Sequence, residues 1–392
     1  MSLWRIPGLR ALALVSVLAF ASFFLTLSSL PLWAVDGGAS VGSAGLVTTA
    51  LLAATVACQL MVPLAERRLG LPRLLAIGLV ALGLPTPLYL VSQDLGWLAG
   101  VSAVRGIGFA ILTVVGASLA ATLAPPERRG EAIGLYGLAV AFPQLVCVPG
   151  GASLALGGRF DVVAILATVP LLALPLVRRF RGIETAGEPQ RSGGREALRA
   201  VLPACLVLAV VTAVGGGLVT FLPVERPDGA VAGLALLVFG VVAALGRWRA
   251  GYLVDRTGST RVLLPIALVL SAAGIALVAA GLSSDAAGLV VGGAAIAGAG
   301  YGSVQNLTLV AALARAGLAR ASTASATWNA SFDTGTAIGA WAVGAIAAAG
   351  AGLAATYLGC ALLILFVIPL GAVAGAPREP APVGRARPGS PR

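Results

Sequence analysis

Two ionisable residues lie deep inside hydrophobic runs of this chain. Arg105, in Val104-Arg105-Gly106-Ile107-Gly108, stands about nine residues into the run 96–122, and Asp333, in Trp328-Asn329-Ala330-Ser331-Phe332-Asp333-Thr334-Gly335, falls near the middle of the run 322–348. A charged side chain at the centre of a bilayer costs roughly 3 kcal/mol on insertion scales, so residues kept there mark ion or substrate pathways. A buried carboxyl group is cheaper to hold with its proton than without it, which suits Asp333 to carrying a proton. If Arg105 shared a cavity with it, the pair would hold the acid ionised until substrate or conformation separated them. The structural alternatives are an arginine that snorkels or bonds a cluster of carbonyls, and an aspartate bonded to Asn329, Ser331 or adjacent helices. Gln305, Asn306 and Thr308 in the run 286–311, with Trp328 and Asn329, add polar and aromatic groups at membrane depth. They would either line a small-molecule cavity near the midplane or bond one helix to another.

A second set of charges lies between runs. Gly251, Asp255, Arg256, Gly258 and Arg261 put an acid at a helix end beside arginines, and a degraded copy at Glu66, Arg67, Gly70 and Arg73 precedes it by 255 − 66 = 189 residues. The copy has Glu for Asp, Val62 where Gly251 stands, and one extra residue before Gly70. The copy thus matches the later segment only in part, and both serve to orient the chain. The duplication extends further: Gly106-Ile-Gly108-Phe109 matches Gly298-Ala-Gly300-Tyr301 at an offset of 192, and Ala141-Phe142 matches Ser331-Phe332 at 190. Pro143, Pro149, Gly150 and Gly151 cluster in the run 132–155, where proline bends a helix and small residues admit close packing.

These residues need a scaffold, and composition narrows it. With 58% hydrophobic and 10% charged residues and a mean hydropathy of +0.98, the chain reads as a membrane protein. In hydrocarbon every backbone amide must be satisfied internally, and runs of about 20 residues fit spanning helices rather than the roughly 10-residue alternating strands of a barrel. Twelve spans are expected: 11–35, 43–64, 74–92, 96–122, 132–155, 161–178, 200–223, 229–247, 262–282, 286–311, 322–348 and 352–374. The first run follows Arg5 and Arg10 but is too long for a signal peptide.

All 26 basic residues are Arg and there is no His. That removes His-based proton relays, His metal ligands and Ser-His or Cys-His catalysis. Cys58, Cys147, Cys205 and Cys360 all lie inside apolar runs, where neither a disulfide framework nor a metal site is expected. The formal charge of +11 calls for no nucleic acid, because the arginines fall in alternate loops. One side holds Arg67, Arg68, Arg73, Arg128, Arg129, Arg178, Arg179, Arg181, Arg191, Arg195, Arg199, Arg247, Arg249, Arg256, Arg261, Arg315 and Arg320. The other holds Asp36, Asp94, Asp161, Glu225, Asp228 and Asp285, with Arg159 and Arg226 as exceptions. Both termini are therefore expected in the cytoplasm. The polar stretch 179–199 reads as a linker between six-helix halves, 1–178 and 200–375, and 376–392, with five prolines, as a disordered tail.

With these residues in place the chain resembles the major facilitator superfamily of secondary transporters over essentially its whole length. The resemblance implies an all-α fold of twelve transmembrane helices in two six-helix pseudo-repeats, in the cell membrane, acting as a monomer on a small-molecule substrate and protons, with no cofactor, no metal and no enzymatic activity. It implies that the Gly251 to Arg261 loop latches the cytoplasmic side and that Arg105 couples substrate or proton movement. The segment from Gly134 through Pro149-Gly150-Gly151 is similar to the fifth-helix motif of the drug-proton antiporter branch, with Val148 replacing a Gly, and implies efflux. A facilitator or importer of a sugar or other metabolite is the alternative. A membrane enzyme lacks the clustered acids it would need, and a receptor that merely kept the fold leaves the charges at Arg105 and Asp333 unexplained. No Gly-x-x-x-x-Gly-Lys nucleotide loop occurs, and Gly298 to Gly302 follows no strand, so neither ATP nor a dinucleotide is implied.

Overall fold

In the computed structural model the described residues are 3–39, 41–183, 194–225 and 230–375, and they form helices only. The middle of the expected linker (184–193), the turn 226–229 and the proline-rich tail 376–392 lie outside them. We number the spans α1 (Pro7–Asp36), α2 (Leu46–Gln59 with Val62–Leu69), α3 (Leu71–Gly83, continued by Thr86–Leu90), α4 (Leu95–Leu123), α5 (Arg129–Leu156) and α6 (Phe160–Leu166, continued by Val169–Phe180). The second half comprises α7 (Gly194–Glu225), α8 (Ala230–Thr257), α9 (Thr260–Ser283), α10 (Ala287–Ala316), α11 (Ala321–Ile346) and α12 (Gly352–Phe366 with Ile368–Gly375). Ten of these are long and apolar enough to cross a membrane, and the broken α2 makes an eleventh. The twelfth is α11, which carries Ser322, Ser325, Asn329 and Asp333 along its length. The chain is a multi-pass membrane protein.

The two halves repeat one packing plan. α1 lies against α5 as α7 lies against α11, α2 against α4 as α8 against α10, and α3 against α6 as α9 against α12. The repeated glycines enforce it. A Cβ on Gly106 would strike the Leu51 carbonyl of α2, and one on Gly298 the Phe239 carbonyl of α8. Gly108 faces Gly78 of α3 and Gly300 faces Ala267 of α9 in the same way. With little hydrophobic force between helices inside lipid, such small-residue seams let backbones approach and supply van der Waals contact.

Several boundaries depart from those expected. α2 breaks after Gln59 with a 62° bend and then runs to Leu69, so Glu66 and Arg67 are helical. Pro63 explains the break, since its ring clashes with the carbonyl four residues back, that of Gln59, and it cannot donate to it. Prolines have a similar effect in α3 and α6, whose second parts, with Pro87, Pro170 and Pro175, wind as tighter 3-10 turns. α5, by contrast, continues as one helix through Pro143 and Pro149. α7 starts at Gly194, which places Arg195 and Arg199 in a helix rather than a linker. Most consequentially, α8 runs to Thr257 instead of ending at 247, so Arg247 and Arg249 belong to the span and not to a loop.

Candidate functional site

The halves meet along α5 with α8, α2 with α11, α4 with α11 and α5 with α10. At the arginine-rich end the contact is closest. Asp255, near the end of α8, accepts hydrogen bonds from Gly130 N (2.9 Å) and Glu131 N (2.7 Å) in the first turn of α5. A carboxylate on a helix N-terminus satisfies orphan amides and complements the helix dipole. A side chain on Gly251 would run into the Gly130 carbonyl, so glycine at both positions lets the backbones touch. Asn306 Nδ2 of α10 donates to that carbonyl at 3.2 Å, and Ser325 Oγ of α11 donates to Val114 O of α4 at 2.7 Å. The α5–α8 seam continues inward through Gly134 on Trp248 and Gly137 on Arg247, and thins at Gly240, where a Cβ would lie 3.8 Å from Leu145. Beyond it, a Cβ on Gly150 or Gly233 would meet nothing within 4 Å. Contacts between the halves thus gather on the arginine-rich side and thin toward the other.

This arrangement revises the reading of the loop charges. The acid at position 255 meets backbone amides 125 residues away rather than the neighbouring arginines. Arg256 lies instead over the Tyr252 ring, 4.4 Å from its centroid, and Arg261 is exposed. Gly258, at φ +65°, turns the chain after α8, and Gly70, at φ +77°, does the same after α2. Glu66 is buried, on the α2 segment that packs against α11, while Arg67 is exposed.

Arg105 and Asp333 have separate partners. Arg105 is fully buried inside the first half, where Nε donates to Leu82 O (2.9 Å). Its terminal nitrogens donate to Thr26 Oγ1 (2.7 Å), Tyr89 OH (3.3 Å), Ser22 O (3.1 Å) and Ser22 Oγ (3.0 Å). It ties α4 to α1 and α3, and every acceptor is neutral. Asp333 is 333 − 321 = 12 residues into α11, about 18 Å from the arginine-rich end at 1.5 Å per residue. Its Oδ2 accepts from Gln59 Nε2 at 2.7 Å. Gln59 is the last residue before the break in α2, so this bond spans the two halves at the bend.

The expected lining residues divide. Gln305 and Trp328 come together at Arg247, whose Nη1 donates to Gln305 Oε1 (3.2 Å) and whose guanidinium lies 5.8 Å from the Trp328 ring centroid. Trp328 Nε1 donates to Thr308 Oγ1 at 3.0 Å. Asn306 belongs to the closed seam, and Asn329 bonds back to Ser325 O on its own helix at 2.8 Å. Gly151 of the proline segment abuts the Leu25 carbonyl of α1, so there it serves packing, whereas Gly150 faces open space. Arg247 is the residue that sequence reasoning missed: the cluster Arg247-Trp248-Arg249 looks like the end of a span, and only its distance from the turn at Gly258 hinted otherwise.

A family model described as Major Facilitator Superfamily matches residues 12–329. No curated protein matches the chain. Among solved structures, that of FucP, the E. coli fucose:proton symporter, in the outward conformation is similar with a TM-score of 0.77 at 15% identity, covering 94% of this chain and 98% of that one. The human organic anion transporter MFSD10 (TETRAN) has a TM-score of 0.75 at 16% identity, covering 95% and 100%. The proton:xylose symporter XylE bound to 6-bromo-6-deoxy-D-glucose scores 0.70 at 16%, covering 92% and 94%. At such identities the likeness is one of fold.

Proposed function

The chain belongs to the Major Facilitator Superfamily, and from that premise we propose that it is a proton-coupled secondary transporter exporting a small organic molecule by alternating access between its halves. The observation that carries the coupling is the hydrogen bond from Gln59 to Asp333, because it joins the halves through a titratable group. Ionised, the carboxylate accepts a strong charge-assisted bond from the amide. Protonated, it loses that charge, the bond weakens, and α2 is released from α11 at its bend. Proton loading and opening of the seam are thereby one event.

Taking the arginine-rich end as cytoplasmic, the cleft opens outward while Asp255 clamps the inner side. A proton reaching Asp333 from outside loosens the α2–α11 contact, the inner side opens, and substrate enters as the proton leaves. Export rests on the α5 segment from Gly134 to Gly151, similar to that of drug-proton antiporters. Uptake is the second reading, favoured by the fold's likeness to two proton symporters.

The test uses proteoliposomes carrying a pH dye and a panel of organic solutes. An exporter of this kind expels preloaded solute faster when the outside is acid, whereas a symporter accumulates solute under the same gradient. In Asp333→Asn the gradient should no longer drive flux while solute counterflow continues. Gradient-driven flux that survives this substitution undiminished would sink the coupling role.

A further inference from the structure

Arg105 is buried and Arg247 half-buried in membrane-spanning helices, and among the described residues neither has a carboxylate within ion-pair distance. Arg105 nevertheless spends its donors on hydrogen bonds to α1 and α3. Arg247 does not. It makes a single long bond to Gln305, and its buried Nε has no hydrogen-bond partner. The side chain does not retreat into its own half either. It crosses the seam onto α5, where a Cβ on Gly137 would collide with its Cδ and Nε. Trp328 presents a ring to the guanidinium. Arg247 stands 257 − 247 = 10 residues inside α8, roughly 15 Å deep.

A cation taken out of water is tolerated when it is paired and its donors are satisfied, and here both conditions are unmet by the protein. The planar guanidinium is built to receive a carboxylate through two parallel donors. We infer that the seam between the halves at Arg247 binds an organic anion whose carboxylate sits on Arg247 and whose apolar or aromatic body lies against Trp328. This deepens the transporter reading above and rests on it, since it names the substrate class of the same cleft. The anion supplies the missing counter-charge.

The test is a binding titration of the full-length purified protein in detergent, followed by tryptophan fluorescence. The probes are benzoate, 2-naphthoate and cyclohexanecarboxylate, each against its own amide, which has the same body without the charge. The carboxylates should bind roughly 10- to 100-fold more tightly than the amides, the range expected for charge-assisted bonds. Arg247→Gln should abolish that preference, and Arg247→Lys should restore part of it. Wild-type protein that favours no carboxylate over its amide, or Arg247→Gln protein that keeps the preference, would overturn the inference. Should the glutamine variant not fold, the wild-type comparison decides alone. The two readings fail separately: proton-driven flux of a neutral solute with no carboxylate preference defeats the anion site and spares coupling. Arg247-dependent carboxylate binding with flux indifferent to the pH gradient does the reverse.

Discussion

A buried guanidinium is held in place by what it bonds, and the five bonds of Arg105 all end on neutral groups of α1 and α3. Its removal therefore leaves Ser22, Thr26 and Tyr89 facing an empty, poorly hydrated space. Arg105→Gln should lower the stability of the purified protein by about 2 kcal/mol or more, since one unsatisfied buried polar group costs 1–3 kcal/mol. Thermal unfolding in detergent measures it. Arg105→Lys should recover little, because an ammonium cannot span acceptors on two helices as the planar fork does. If neither variant is destabilised, the network does not hold α4 to α1 and α3. Asp333 was legible from its depth alone, and so was the cost of Arg105. The partner of Asp333 was not, because Gln59 is 274 residues away in sequence and nothing local distinguishes it.

Helices set what these residues can reach. The carboxylate of Asp255 caps α5 only because α8 extends to Thr257, and α8 extends because Gly246, Gly251 and their partners give its last turns something to lie against. Hydropathy could not have revealed this, since Arg247, Arg249, Asp255 and Arg256 make that stretch look like a loop, and packing against α5 and α10 outweighs the charge. The repeated glycines, in contrast, were visible as a repeat and proved to be the seams of α4 and α10. The clamp makes a local prediction. In Asp255→Asn the amides of Gly130 and Glu131 lose a charged acceptor, so amide hydrogen exchange in the first turn of α5 should accelerate roughly 5- to 30-fold, as expected for loss of about 1–2 kcal/mol. Exchange unchanged there would mean that the amides are protected by something other than the carboxylate.

For the molecule as a whole, the pattern of contact is one-sided: bonded at the arginine-rich end and thinning at Gly240. A transporter working by alternating access holds this state by a free energy small enough for substrate and proton to reverse it, typically 1–3 kcal/mol of coupling. Steric overlap at the clamp is on the same scale, since overpacking costs about 1–3 kcal/mol. Gly251→Ala, which drives a methyl group into the Gly130 carbonyl, should therefore shift the population toward the opposite state by about 5- to 150-fold. A thiol placed at the seam reports the shift. With Cys58, Cys147, Cys205 and Cys360 replaced by serine or alanine and Gly240→Cys introduced, an impermeant maleimide should label the cysteine from the side facing away from the arginine-rich loops. Adding Gly251→Ala should raise labelling from the arginine-rich side and lower it from the other. Labelling that ignores the second substitution would show that the Gly130–Gly251 contact does not hold the halves together, and the Asp255 clamp would lose its place in the transport cycle.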